Sequence, residues 1–231
     1  MQKIFNFFPL SVYKSKLSLT ENEKKEMIEE VRSMEKKSKN LDYKSSSKAW
    51  TGDTQGFEFI HKIKNFEKLF LEIKKKVLEY LKCIEIDDKL IDIYIQRSWA
   101  TISESNERIK KHRHFQSHIS FAYYLKKNKN DANLIVFDEN YKNEVMPGIF
   151  RSETALQKGI VKKMNQFNVT QAIINVEEND IIIFPSKTIH STQTSQSNDE
   201  RISISADIIF VAKDSKLLEM GLPPLNEWTK I

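Results

Sequence analysis

The chain has 231 residues, of which 39% are hydrophobic and 30% are charged, a composition typical of a globular protein with a buried core. Its single cysteine, Cys83, excludes a disulfide framework within the chain and is predicted to be an inert buried thiol, and no apolar run approaches the ~18 residues that a membrane span requires. The net charge of +5 comes from lysines interspersed with Asp and Glu, and the first residues do not form a signal peptide, so we expect a cytoplasmic protein with no membrane association and no nucleic-acid partner.

The first third of the chain predicts two amphipathic helices. Thr20 and Glu23 stand at capping-box spacing near the start of a helix over 18–38, whose apolar residues recur on one face. A second helix is predicted over 66–84, with Asn65 as its N-cap. Because charged residues cover the rest of the first helix, we expect it to lie on the surface of the protein.

From about residue 89 the pattern changes to short β-branched segments separated by turn residues. The segments do not alternate with helices, which argues against a parallel sheet and favours antiparallel strands in a barrel or two-sheet jelly roll. The predicted strands are 90–103, 118–127, 133–140, two strands within 170–185 joined at EEND, and a hairpin over 190–211 turning at SQSND.

The order of elements predicts one domain over residues 1–231. Within it we expect a helical support region over 1–88, a mainly β core over 89–212 and a C-terminal tail over 213–231. The N-terminal helices should pack on the outer face of one sheet.

Histidines and an arginine at the strand ends are the candidate functional residues. His112 and His114 are two residues apart, so in an extended chain both point to one face, where they can bind one metal ion. His190 follows the apolar strand DIIIFP, and Arg201 and Ser203 form an R-x-S pair on the return arm of the predicted hairpin. Strand geometry places Arg201 roughly 10 Å from His190. Since arginine binds carboxylates with two parallel bonds, a metal at this distance suits a short dicarboxylate.

This ordered set of motifs resembles the Fe(II)- and 2-oxoglutarate-dependent dioxygenase superfamily, which has the double-stranded β-helix fold, a cupin-like jelly roll. The resemblance is strongest to a bacterial and phage branch of unassigned oxygenases with an H-x-H…H…R-x-S pattern, and it covers most of the chain. The residues that carry it are Ser98-Trp99, His112-Arg113-His114, Tyr123-Tyr124-Leu125, Asn179-Asp180 through Ser186, His190, and Arg201 to Ser205, with KAWTGD (48–53) and LPPLNEW (222–228) as flanks.

The resemblance implies an oxygenase that uses Fe(II), 2-oxoglutarate and O2. His112, His114 and His190 would be the metal ligands and catalytic centre, and Arg201 with Ser203 would bind the distal carboxylate of 2-oxoglutarate. The implied reaction is a hydroxylation coupled to decarboxylation of 2-oxoglutarate to succinate and CO2. A small-molecule or amino-acid-type substrate is expected, contacted by loops such as 39–56 and 141–168, whose sequences do not identify it.

His114 departs from the superfamily pattern. The usual triad is two histidines and one carboxylate, and His114 stands at the position of the carboxylate. Three interpretations are open here, and we favour a site with three histidines. The second is a two-histidine site completed by an outside carboxylate, for which Asp138 is the nearest candidate. The third shifts the triad to His114 and His118, although His118 already lies in the next strand and fits a pocket or packing residue better.

Two other functions remain compatible with the sequence. A cupin-like metal dioxygenase could use the same three histidines without 2-oxoglutarate, which would leave Arg201 and Ser203 without a role. A non-enzymatic barrel that binds a sugar or nucleic acid would hold no metal at the histidines.

Overall fold

The structure is a computed structural model that describes residues 3–38, 49–214, 216 and 221–231. The predicted irregular segment 39–56 therefore falls outside the described residues over 39–48, as does the predicted tail at 215 and 217–220. No helix in the described ranges has the length and apolarity to cross a membrane. The helices are α1 Glu21–Ser38, α2 Glu67–Cys83 and α3 Glu153–Gln157, and the strands are β1 Tyr13–Lys16, β2 Trp50–Thr51, β3 Ile91–Ser103, β4 Ile119–Lys126, β5 Leu134–Phe137, β6 Gln171–Ile174, β7 Asp180–Pro185, β8 Ile189–Thr192 and β9 Arg201–Ala212.

The strands form two sheets that face each other. The large sheet has the order β1-β7-β4-β9-β3-β2 and the small sheet the order β6-β5-β8, and the paired strands are antiparallel. This is the predicted antiparallel two-sheet arrangement. The predicted hairpin over 190–211 is wrong, because β8 pairs with β5 in the small sheet while β9 pairs with β3 and β4 in the large one. The chain crosses from one sheet to the other between these strands, so they face each other across the interior.

Helices α1 and α2 cover the outer face of the large sheet, as predicted. Their apolar residues form one buried cluster with the residues of β3, β4, β7 and β9 that face the helices. The predicted capping box starts α1: Thr20 N–H donates to Glu23 Oε2 at 2.8 Å, and Glu23 N–H donates to Thr20 Oγ1 at 3.3 Å. The predicted cap of α2 is wrong, since Asn65 lies inside a 3-10 turn and Phe66 precedes the helix. Cys83, at the end of α2, is exposed rather than buried.

A β-bulge in β3 decides which residues face the interior between the sheets. The bulge lies between Ile95 and Arg97 in the pairing with β9. Before the bulge, the odd-numbered residues Ile93 and Ile95 pack toward the helices. Beyond it, the even-numbered Ile102 packs toward them. An extra residue in a strand reverses the alternation of its side chains. Arg97 and Trp99 consequently line the cavity.

Candidate functional site

A cavity of about 750 Å³ lies between the two sheets. Trp99, Tyr124 and Arg201 line it from the large sheet, and Leu134 and His190 line it from the small sheet. Its volume falls in the range of about 300–1,000 Å³ typical of small-molecule sites. The cavity is therefore large enough for a cosubstrate and part of a substrate.

Three histidines converge on this cavity. One nitrogen from each of His112, His114 and His190 lies within 4.8 Å of the others. His112 and His190 exchange two main-chain hydrogen bonds of 2.9 Å, which fix the loop before β4 against β8. His114 N–H donates to the carbonyl of Ser186 at 3.0 Å. The structure thus brings together the three residues that the sequence singled out.

The hydrogen bonds of the three rings determine their tautomers. His112 Nδ1 lies 2.8 Å from the carbonyl of Lys110, and His190 Nδ1 lies 2.8 Å from the carbonyl of Thr188. A carbonyl oxygen only accepts, so each Nδ1 carries the proton and each Nε2 presents its lone pair. His114 Nδ1 donates to Oδ1 of Asp207 at 2.9 Å, so this ring also directs its Nδ1 proton away from the cluster. Three imidazoles whose Nδ1 atoms are held in this way form a ligand set for a transition metal.

Burial lowers the pKa values of two of these rings, His190 and His112. Desolvation lowers the pKa of His190 to about 3, and the neighbouring His112 acts in the same direction. Burial also lowers the pKa of His112. Both rings are therefore unprotonated at neutral pH and available as ligands.

Asp207 is a site residue that the sequence reasoning missed. It is fully buried. Burial raises the pKa of its carboxyl, but the hydrogen bonds and charge of its neighbours, His114 first, outweigh that effect and bring the pKa to about 2. Alternation along β9 from Arg201 places residue 207 on the cavity face, and a charge within an apolar strand was the available signal. The donors to its carboxylate are Arg97 Nε at 2.7 Å, His114 Nδ1 at 2.9 Å, Ser120 Oγ at 2.9 Å, Ser117 Oγ at 3.1 Å and Gln116 Nε2 at 3.2 Å.

Arg201 provides a positive charge in the interior of the cavity. Its side chain is 1% exposed and donates to the carbonyl of Ala132 and to Ser103 Oγ, both at 3.0 Å. Its Nη2 also lies 3.4 Å from Oγ1 of Thr192, two residues beyond His190 on β8. Its buried Nε has no hydrogen-bond partner in the described part of the chain. Among the described residues Arg201 forms no ion pair, and the more distant Asp131 carboxylate attracts it only through space, so the guanidinium can bind an anion directly.

Two further side chains lie beside Arg201 in the cavity wall. Ser203 is on the same face of β9, as predicted, and lines the cavity. Tyr124 of β4 pairs with Ser203 across the strands and also lines the cavity. Burial raises the pKa of Tyr124 to about 12, so its hydroxyl stays protonated.

The structure also locates the residues of the two alternative triads. Asp138 is exposed and accepts from the Asn140 N–H at 2.8 Å, outside the histidine cluster. His118 packs against Phe210, whose N–H donates to His118 Nδ1 at 2.8 Å. His118 is thus a packing residue, and neither side chain lines the cavity.

Comparison with known proteins gives one family match and several structures of similar fold. The family model described as "Putative 2OG-Fe(II) oxygenase" matches residues 97–207. No curated protein matches the chain.

Three solved structures that align with this chain are the following. The α-ketoglutarate-dependent carbocyclase SnoK of nogalamycin biosynthesis aligns over 93% of this chain and 89% of its own, with a TM-score of 0.56 at 10% identity. A prolyl-4-hydroxylase from Pseudomonas putida aligns over 86% and 92%, with a TM-score of 0.51 at 8% identity. A 2OG-Fe(II) oxygenase family oxidoreductase from Burkholderia pseudomallei aligns over 51% of this chain and 45% of its own, with a TM-score of 0.36 at 12% identity. The first two confirm the predicted jelly-roll fold.

Proposed function

We propose that this chain, whose residues 97–207 match the 2OG-Fe(II) oxygenase family model, is an oxygenase of that family that binds Fe(II) through His112, His114 and His190 and hydroxylates a small organic substrate. In this proposal Arg201 binds the distal carboxylate of 2-oxoglutarate, with Ser203 beside it. The metal and 2-oxoglutarate together with O2 would supply the oxidising chemistry, which yields hydroxylated substrate, succinate and CO2.

The observation that carries the proposal is the buried guanidinium of Arg201, which forms no ion pair among the described residues and lies in the cavity that holds the three imidazoles, with only the more distant carboxylate of Asp131 attracting it. A buried ion without a partner is costly, by several kcal/mol in real proteins. An incoming carboxylate would satisfy the unpartnered Nε and neutralise the guanidinium. A dicarboxylate that reaches from Arg201 to a metal at the histidines explains both the buried guanidinium and the histidine cluster.

The residues present fit Fe(II) as well as the cosubstrate. Imidazole nitrogens are suitable ligands for iron, and hydrogen bonds at Nδ1 orient each ring with Nε2 toward the common point. The ring of Trp99 stacks on that of His114, with centroids 5.8 Å apart. The ring centroids of Phe184 and His190 lie 4.8 Å apart. These aromatic rings hold the ligand rings in place and exclude water from one side of the site.

The cavity supports a small-molecule or amino-acid-type substrate. It extends past the histidines to Thr54 and Gln55, in the turn that follows β2. Two proteins of similar fold are named as a carbocyclase and a prolyl-4-hydroxylase. We extend the proposal to one catalytic domain over 1–231 that acts in the cytoplasm, which its single cysteine supports.

An anaerobic titration tests the proposal. Protein loaded with Fe(II) is titrated with 2-oxoglutarate, and a weak visible charge-transfer band should appear for the wild type. Arg201→Gln should weaken 2-oxoglutarate binding by about 30-fold or more, since loss of one partner of a buried charge pair costs about 2–5 kcal/mol. Arg151→Gln is the control, because this exposed arginine pairs with Glu144 outside the cavity.

The same experiment separates the alternatives. A three-histidine dioxygenase that does not use 2-oxoglutarate would bind Fe(II), show no band, and be indifferent to Arg201→Gln. A binding barrel without catalytic function would contain no metal by elemental analysis after purification without oxygen. Succinate release from 2-oxoglutarate across a panel of small substrates would then identify the substrate class.

A further inference from the structure

The geometry points to Asp207 as the group that supplies, through His114, the negative charge that a carboxylate ligand supplies directly in the usual two-histidine, one-carboxylate triad. Asp207 is thus a positioning residue that acts on the metal from behind one of its ligands. This inference rests on the proposed metal site and goes beyond it, because it assigns to one histidine a role that the other two do not share.

Strand β9 places Asp207 at the metal end of the cavity. Residues 201, 203, 205 and 207 share one face of this strand, with Arg201 at one end and Asp207 at the other. At about 3.4 Å per residue, six residues separate the two ends by roughly 20 Å along the strand. One strand face therefore carries both the anion-binding arginine and the carboxylate behind the histidine cluster.

The three imidazoles differ in the group that holds Nδ1. Main-chain carbonyls accept from His112 and His190, and these acceptors are uncharged. His114 alone of the three donates to a carboxylate, with its Nδ1 2.9 Å from Oδ1 and 3.2 Å from Oδ2 of Asp207. A carboxylate behind a ligating histidine fixes the tautomer and ring orientation and raises the basicity of the other nitrogen. His114 is therefore the most strongly donating ligand of the three.

Other contacts prevent Asp207 from reaching the metal itself. Arg97 Nε donates to Oδ2 at 2.7 Å and faces it directly across β3 and β9, in the register that the bulge sets. Ser120 Oγ donates to Oδ1 at 2.9 Å. Both carboxylate oxygens are thus engaged behind the ring of His114, and His114 is the connection between Asp207 and the proposed metal site.

Cobalt(II) binding provides the first test, because it requires neither substrate nor turnover. Asp207→Asn keeps the shape and an acceptor oxygen but removes the charge, and we expect the Co(II) dissociation constant to rise by about 10- to 100-fold. Asp180→Asn is the matched control: Asp180 is also fully buried but pairs with Lys14 and Lys16 on the outer edge of the large sheet. This control should leave Co(II) affinity within about twofold of the wild type.

A double-mutant cycle distinguishes action through His114 from a general structural effect. If Asp207 acts through this ring, Asp207→Asn should cause no further loss of Co(II) affinity in a His114→Ala background. Additive losses in the two variants would overturn the inference. So would a single Asp207→Asn variant that folds normally and binds Co(II) as tightly as the wild type.

The wild-type protein offers a measurement that does not depend on any variant folding. In Zn(II)-loaded protein with 15N-labelled histidine, the proton of His114 should reside on Nδ1 and resonate further downfield than those of His112 and His190. A His114 proton on Nε2 would overturn the inference.

The outcomes also separate this inference from the proposed function. If His114→Ala binds Co(II) normally while His190→Ala does not, the role of Asp207 is refuted but a two-histidine oxygenase site survives. If the wild type binds no metal, the proposed metal site itself is wrong.

Discussion

Replacement of Arg201 by methionine should affect the ligand-free and the 2-oxoglutarate-bound protein differently. In the free protein Arg201→Met removes two good hydrogen bonds, to Ala132 and Ser103, each worth about 1.5–3 kcal/mol when the donor is charged. It also removes a buried charge without an ion-pair partner among the described residues, which costs the wild type several kcal/mol. These terms oppose each other, so we expect the free energy of unfolding to change by no more than about 2 kcal/mol.

The ligand-bound protein should show a larger difference. At 2-oxoglutarate concentrations of about 100 times the dissociation constant, binding stabilises the wild type by about 2.7 kcal/mol. For a chain of this length that corresponds to a rise in Tm of about 5–11 °C. Arg201→Met should show almost none of this rise, because the site for the distal carboxylate is lost.

Differential scanning fluorimetry of the metal-loaded, oxygen-free protein, with and without 2-oxoglutarate, measures both effects. Arg151→Met, at an exposed arginine on the surface, should keep the full ligand-induced rise. A loss of more than about 4 kcal/mol in the ligand-free Arg201→Met protein would refute the reasoning, since a cost of that size is typical of breaking a satisfied buried pair.

Three further predictions concern stability. Thr20→Ala should cost about 1 kcal/mol in urea unfolding through loss of the α1 cap, and Thr20→Ser should restore most of it. Ile204→Ala, at a fully buried position of β9, should cost about 2–5 kcal/mol, whereas Ile173→Ala, which is 51% exposed, should cost less than about 0.5 kcal/mol. His190 has a pKa of about 3 when folded and about 6.5 when unfolded, so the unfolded state binds more protons between these values. The stability of chelator-treated protein should therefore be complete above about pH 6.5 and fall toward pH 3, and an equally steep fall in His190→Gln would contradict this assignment.

Local patterns in the sequence were sufficient to predict most elements and the histidine cluster. The spacing of Thr20 and Glu23 predicted the start of α1, because a capping box involves residues only three apart. The H-x-H pair lies in the loop before β4 and His190 lies in β8, and the family resemblance linked them before their contact was visible. Ser203 was placed on the face of Arg201 by strand alternation alone.

Asn65 and Cys83 show where local patterns were insufficient. Asn65 has a suitable side chain for an N-cap, but a 3-10 turn before α2 moves the cap position to Phe66. Cys83 falls near the apolar stripe at the last residue of α2, where the neighbouring elements no longer cover it. Both outcomes depend on how the helix end packs, which its own sequence does not specify.

The sequence by itself determined the residue types of the site, their order and the face of β9 that carries them. The tertiary structure alone decided that β8 and β9 lie in opposite sheets, and that Thr192 and Arg201 meet across the cavity. It also decided the bulge beside Arg97, which turns that side chain toward Asp207 and so completes the support behind His114. Alternation within a strand is set by neighbouring residues, whereas register, bulges and the choice of sheet are set by pairing with strands far away in the chain.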